Sequence, residues 1–147
     1  MPKCCDVMTR DPVCVEAEDS VKRVAELMKR EDIGSVPVVD SKSGAHPIGM
    51  VTDRDLVLKV LADGRDVGSA RVRDAMTSNP VCCSEDDDVS RAISLMEDRQ
   101  VRRMPVVGRD GRLTGIIAQA DIATRLSRDK TTGELVEAIS EGGHSRK

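Results

Sequence analysis

Residues 4–39 read CCDVMTRDPVCVEAEDSVKRVAELMKREDIGSVPVV, and residues 72–107 read VRDAMTSNPVCCSEDDDVSRAISLMEDRQVRRMPVV. At this offset of 68, fourteen of the 36 aligned pairs are identical, among them Met8/Met76, Thr9/Thr77, Pro12/Pro80 and Cys14/Cys82. Self-similarity at a fixed period means that one structural unit is built twice. Beyond a loop two residues shorter in the second copy the offset becomes 66, which pairs Gly49 with Gly115 and Asp55 with Asp121. Each copy has the same pattern of elements. A short turn carrying Asp-x-Met-Thr leads into a strand at Val13-Cys14-Val15. Ser20 and Asp88 are matching N-cap residues, each opening an amphipathic helix. Apolar residues recur at i, i+3, i+4 and i+7 (Val21, Val24, Ala25 and Met28; Val89, Ala92, Ile93 and Met96), the signature of a one-sided core helix. Val-rich strands follow at Val36–Val39 and Met104–Val107, then Ile48–Val51 and Leu113–Ile117. A second helix begins near Asp53 and near Gln119. The fold expected is α/β (α+β), two β-α-β-β-α repeats. The first spans residues 4–63, a linker 64–71, the second repeat 72–128. A short helix through Leu135, Val136 and Ile139 and a frayed tail occupy 129–147.

Composition limits what such a chain can do. With 147 residues it can bury about 68–70% of its unfolded surface, enough for a core without staples. Phe, Tyr and Trp are absent, so the core is aliphatic and sulfur-rich, and the aromatic platforms on which single-stranded nucleic acids stack do not exist. A net charge of −3 with no densely basic stretch also argues against a nucleic-acid partner. No apolar run reaches membrane-spanning length, and Met1-Pro2-Lys3-Cys4-Cys5-Asp6 lacks the apolar core of a secretory signal, so a cytoplasmic protein is expected.

Two β-α-β-β-α copies bearing Met-Thr…Pro-Val, then x-x-Pro-Val-Val, then Gly49-Met50-Val51-Thr52-Asp53-Arg54-Asp55-Leu56-Val57 resemble a tandem pair of CBS (cystathionine-β-synthase-type) domains, the Bateman module. The resemblance covers residues 4 to about 127. Gln100-Val101-Arg102-Arg103-Met104-Pro105-Val106 and Leu61-Ala62-Asp63-Gly64 look like the stand-alone bacterial and archaeal members. It implies a regulatory fold with pseudo-twofold symmetry whose clefts between repeats hold adenine nucleotides or adenosyl ligands in some members. It also implies a homodimer joined through helices. AMP, ADP, ATP or S-adenosylmethionine are the regulatory ligands in view, with no cofactor required.

Thr52 stands where a strand gives way to a helix, a position where unpaired N–H groups and the helix dipole attract an anion. Its hydroxyl can donate to a phosphate oxygen, and Asp55 can accept from two ribose hydroxyls, the roles that matching residues play in CBS domains. Thr-x-x-Asp is equally the spacing of a capping box, in which both residues serve the helix itself. The second copy reads Gly115-Ile116-Ile117-Ala118-Gln119-Ala120-Asp121. It keeps the carboxylate for a ribose and loses the hydroxyl. Arg102 and Arg103 take the places of Gly34 and Ser35. By family resemblance one of them neutralises phosphates, reaching the cleft that holds Thr52 and Asp55. The alternative is a solvated pair facing a neighbouring acid. The adenine slot implied by the family is formed by Pro12, Val13, Ile33 and Val36, and by Pro80, Val81, Val101 and Met104, residues that fit a core equally well.

The five cysteines include two adjacent pairs but no C-x-x-C clip, so neither metal nor disulfide is expected. Cys14 and Cys82 share a strand position that favours burial, while Cys4 and Cys5 are expected to be the most exposed. His46 falls in a turn and His144 in the tail, both expected in solvent. No nucleophile and base fall together, so no catalytic residue is assigned. Two functions remain. One is a non-enzymatic sensor of an adenine nucleotide or adenosyl ligand, acting on a regulated protein partner. The other is a ligand-free structural or stress-linked interaction module.

Overall fold

A computed structural model describes residues 1–129. The helix expected around Leu135 to Ile139, the tail and His144 lie outside the described residues. In the first repeat the elements are α1 (Cys4–Val7), β1 (Thr9–Arg10), β2 (Val15–Glu16), α2 (Val21–Glu31), β3 (Ser35–Asp40), β4 (His46–Thr52) and α3 (Asp53–Leu56). The second repeat gives α4 (Val72–Ala75), β5 (Thr77–Ser78), β6 (Cys83–Ser84), α5 (Val89–Arg99), β7 (Arg103–Val107), β8 (Leu113–Ala118) and α6 (Gln119–Asp129). The β-α-β-β-α order is present twice, as β2-α2-β3-β4-α3 and β6-α5-β7-β8-α6. The Asp-x-Met-Thr turns are themselves a helical turn followed by a two-residue strand.

Local chemistry accounts for the two long first helices. Ser20 Oγ accepts from Arg23 N–H at 3.1 Å and starts α2. Asp88 occupies the same place before α5 but makes no cap hydrogen bond; its carboxylate meets Lys3 Nζ at 2.7 Å. The buried stripe of α2 is Val21, Val24, Leu27 and Met28, so Leu27 takes the place expected of Ala25, which faces solvent. A stripe at 3.6 residues per turn admits either neighbour, and the larger side chain buries more apolar area. In α5, Val89, Ala92 and Met96 are buried and Ile93 packs against them from the margin. Both helices stop without glycine, on Asp32 and Gln100 in the left-handed conformation (φ 54° and 55°) at the same repeat position. After Leu56, α3 widens into a π-type turn over Val57–Leu61, where Ala62 N–H donates to Val57 O at 2.8 Å.

The strands form two four-stranded sheets, ordered β2-β3-β4-β5 and β1-β8-β7-β6. β2 lies parallel to β3, β6 parallel to β7, and α2 and α5 are the respective crossovers. The terminal strands are exchanged between repeats. β1 pairs antiparallel with β8, Thr9 opposite Ile116, and β5 pairs antiparallel with β4, Thr77 opposite Met50. The chain thus divides into a first unit, Asp11–Pro80 with Arg109–Leu113, and a second unit, Met1–Arg10, Val81–Gly108 and the chain from Thr114. These spatial units divide the molecule differently from the sequence repeats. The exchange depends on two glycines. A Cβ on Gly49 would stand 2.8 Å from Thr77 O, and one on Gly115 would stand 2.9 Å from Thr9 O and 2.5 Å from Met8 Sδ.

Each unit has its own aliphatic core. That of the first includes Val15, Val24, Val36, Val38, Val51 and Val60, closed by Val72 and Ala75 of α4. That of the second includes Val89, Met96, Met104, Val106, Ile117 and Ile122, closed by Cys4 and Met8. Among the described residues no polar or charged residue is buried outright. No helix among them is long and apolar enough to cross a membrane.

Candidate functional site

In the first unit, β4 ends on Thr52, whose extended backbone (φ −116°, ψ 164°) makes it the N-cap of α3. Thr52 Oγ1 accepts from Asp55 N–H at 3.0 Å, and Asp55 Oδ2 accepts from Thr52 N–H at 3.0 Å. The capping box is therefore formed in full. Asp55 Oδ1 is also 3.3 Å from Lys59 Nζ, an i,i+4 pair on a carboxylate only 16% exposed. The remaining N–H groups of the first turn are engaged as well. Asp53 N–H donates to Gly34 O at 2.9 Å, and Arg54 N–H donates to Asp53 Oδ1 at 2.8 Å. This corrects the expectation of unpaired donors awaiting an anion, because the turn supplies its own acceptors. The Thr52 hydroxyl uses a lone pair for the cap, which leaves its proton to donate outward. The Asp55 oxygens likewise retain lone pairs beyond those they use here.

The second unit repeats the frame without the box. Gln119 N–H donates to Arg102 O at 2.9 Å, the counterpart of the Asp53–Gly34 bond. Ala118 ends β8 at 7% exposure and has no hydroxyl. Asp121 lies partly buried in the first turn of α6, and its carboxylate makes no hydrogen bond or ion pair among the described residues. Arg102 and Arg103 are exposed and belong to this unit, with Asp121, not to the unit that holds Thr52 and Asp55.

The apolar positions divide by burial. Pro12, Val13 and Ile33 of the first unit are half-buried, as are Pro80 of that unit and Val81 of the second, while Val101 is exposed. Val36 and Met104 are sealed at 0% exposure in the two cores and have no surface for a ligand to touch. Lys59 and the Gly34 and Arg102 carbonyls escaped notice in the sequence. Asp55 preceding Lys59 by four residues was a legible signal for the first. A backbone carbonyl has no side-chain signature, so nothing pointed to the others.

The cysteines are placed differently from expectation. Cys14 is exposed and Cys82 half-buried, whereas Cys4 and Cys83 are buried. The inward position of the short strand belongs to Val15 and its counterpart Cys83, and alternation turns the preceding residue away. His46 opens β4, and its Nε2 lies 3.0 Å from Asp110 O, so it is fastened to the β7–β8 loop. No group of three or more His, Cys, Asp or Glu side chains among the described residues is disposed to hold a metal ion. An open groove of about 520 Å³ in the second unit is lined by Lys3, Asp86, Asp87, Asp88, Arg91 and Asp98 and includes none of the candidate residues. Acids of this groove are engaged within the protein, Asp87 with Ser84 N–H at 2.9 Å and Asp88 with Lys3 Nζ at 2.7 Å among them.

Comparison with known proteins identifies this architecture. The CBS domain family model matches twice, over residues 4–62 and 72–128. Uncharacterized protein YlbB of Bacillus subtilis is 38% identical over 142 residues, covering 97% of this chain and 94% of that protein. The crystal structure of Hypoxic Response Protein I with two coordinated zinc ions shares 32% identity and a TM-score of 0.76, covering 83% of this chain and 97% of that one. The CBS domain pair of protein MJ0100, in complex with 5′-methylthioadenosine and S-adenosyl-L-methionine, shares 25% identity and a TM-score of 0.74, with 88% of this chain and 98% of that chain covered.

Proposed function

The chain belongs to the CBS domain family, and from that membership we propose that it is a non-enzymatic cytoplasmic sensor of an adenine nucleotide or another adenosyl ligand. Ligand binding changes its affinity for a regulated protein partner. The observation that carries this reading is the carboxylate at the same register in both repeats, Asp55 and Asp121, in the first turn of the helix that follows a sheet strand. A carboxylate there can accept from both hydroxyls of a ribose. The adenosyl ligands of the MJ0100 domain pair support that ligand class.

The two sites differ in chemistry. At Asp55 the Thr52 hydroxyl has a proton to donate to a phosphate oxygen, so this site suits AMP, ADP or ATP. At Asp121 the hydroxyl is missing and the carboxylate has no hydrogen bond or ion pair among the described residues, which suits an adenosyl group without phosphate. Arg102 and Arg103 supply cationic forks in that second unit, where they suit an anionic tail on the ligand.

Calorimetric titration of AMP, ATP, adenosine and S-adenosylmethionine into the wild type, Asp55→Ala and Asp121→Ala tests the assignment. A hydrogen bond to a charged group contributes about 1.5–3 kcal/mol, so each variant should lose about ten- to a hundredfold in affinity at its own site. Unchanged binding in both variants would remove the carboxylates from the mechanism. The second reading, an interaction module with empty sites, is favoured by Ala118 and by the exposed Val57, Leu58 and Leu61 on the widened end of α3. Absence of any heat with all four ligands would select it.

A further inference from the structure

Two thiols lie in contact inside the second unit. Cys4 Sγ and Cys83 Sγ are 3.6 Å apart, at 0% and 2% exposure, although 79 positions separate them in the sequence. We infer that Cys4 and Cys83 form an oxidation-responsive dithiol that closes to a disulfide on reaction with a peroxide.

The contact is held from several sides. Cys4 N–H donates to Asp87 O at 2.8 Å, Cys5 N–H to Glu85 O at 3.0 Å, and Val89 N–H to Pro2 O at 3.0 Å. Lys3 Nζ pairs with Asp88 at 2.7 Å. These bonds fasten α1 across the corner between β6 and α5, so the two sulfurs meet by construction. Beyond packing in the core of the second unit, neither thiol is among the candidate ligand residues described above. Cys14, in the other unit, is exposed and has no such neighbour.

The chemistry follows from the hydrogen bond between the sulfurs. Cys83 S–H points at Cys4 Sγ, which lowers the Cys4 thiol against the opposing effects of burial and of Asp87 and Asp88. The same bond, reinforced by burial, holds Cys83 protonated. Cys4 is therefore the nucleophile. Its thiolate attacks one peroxide oxygen, the O–O bond breaks, and Cys4 becomes a sulfenic acid as hydroxide leaves and is protonated to water. The Cys83 sulfur then attacks Cys4 Sγ, the S–O bond breaks, and the Cys83 proton leaves with that oxygen as a second water. Two thiols and one hydrogen peroxide give one disulfide and two waters. Peroxide is close to water in size, and a one-turn helix such as α1 opens locally far more often than the whole domain unfolds.

The closed bond would tie the exchanged N-terminal segment covalently to the sheet it joins. It would also restrict the unfolded chain through a very long loop, so the melting temperature should rise by about 5–10 °C in the oxidised protein and fall back on adding dithiothreitol.

The test is to treat the native wild type, Cys4→Ala, Cys83→Ala and Cys14→Ser with hydrogen peroxide, unfold each in excess alkylating agent, and map non-reduced digests by mass spectrometry. In the wild type, alkylatable thiols should fall from five to three, with one cross-linked peptide joining Cys4 and Cys83. Cys14→Ser should form the same cross-link, and neither alanine variant should form any. If an alanine variant does not fold, the reductant-dependent melting shift of the wild type still decides the matter. Five thiols remaining in the wild type, a cross-link through Cys14, or the same loss of two thiols in Cys83→Ala would overturn the proposal.

Discussion

Thr52 and Ala118 occupy one repeat position and set the two helix starts apart. Thr52→Ala removes the oxygen that accepts from Asp55 N–H, and stability should fall by about 1 kcal/mol in chemical denaturation. The same change should weaken AMP more than adenosine, because only a phosphate uses the hydroxyl proton. Ala118→Thr is the reciprocal experiment. It places a cap oxygen before Asp121, so stability should rise by about 1 kcal/mol and AMP should gain affinity at the second site; a loss of stability would mean that the buried position has no room for the larger side chain. The sequence left Thr52-x-x-Asp55 open between cap and ligand contact. It could not decide because one spacing serves both purposes, and the structure shows the cap in place with spare hydrogen-bonding capacity on each residue. The cysteines teach a related point. Period-two alternation was available in the sequence, but the face that turns inward was not, and a shift of one residue exchanges Cys82 for Cys83 as the buried thiol.

At the level of elements, the glycine pair is the sharpest constraint. Gly49→Ala would bring a methyl group to 2.8 Å from a backbone carbonyl in β5, which cannot swing aside as a side chain can. We expect a loss of about 1–3 kcal/mol, with a comparable loss for Gly115→Ala, measured by urea unfolding monitored by far-ultraviolet circular dichroism. The helix starts offer a contrast. Ser20→Ala should cost about 1 kcal/mol through its lost cap, whereas Asp88→Ala should act through Lys3 and be sensitive to salt. The hydrogen bond from Lys3 holds the Asp88 carboxyl below its ordinary range, so its contribution is present above the ordinary carboxylate pKa and fades as pH falls through the lowered one. The elements themselves were legible, because apolar periods of 3.6 and 2 announce helices and strands locally. The short strands β1 and β5 were not, since two residues show no period.

For the whole molecule, the exchanged segment makes its own prediction. Removing residues 1–10 takes Cys4 and Met8 from the core of the second unit and uncovers the β8 edge. Calorimetry of the truncated chain should show a markedly lower melting transition, and an unchanged transition would mean that the segment is dispensable. Assembly is the second prediction at this scale. Val57 at 53% exposure, Leu58 at 45% and Leu61 at 68% leave an apolar strip on α3 larger than isolated surface residues explain. We expect a twofold homodimer that covers this strip, so sedimentation should give a dimer that Leu61→Glu dissociates. A concentration-independent monomer in the wild type would rule that out.

The duplication, the β-α-β-β-α order, the aliphatic cores and the repeated carboxylates Asp55 and Asp121 are all legible along the chain. All of these follow from spacing along the chain, and burial of apolar area rewards such spacing whatever the final arrangement. That β1 completes the second repeat's sheet and β5 the first's, that the first N–H groups of α3 are already satisfied, and that Cys4 meets Cys83 emerge only once the chain is folded. Those outcomes depend on which distant segments share a hydrogen-bonding edge, and no local propensity encodes that pairing.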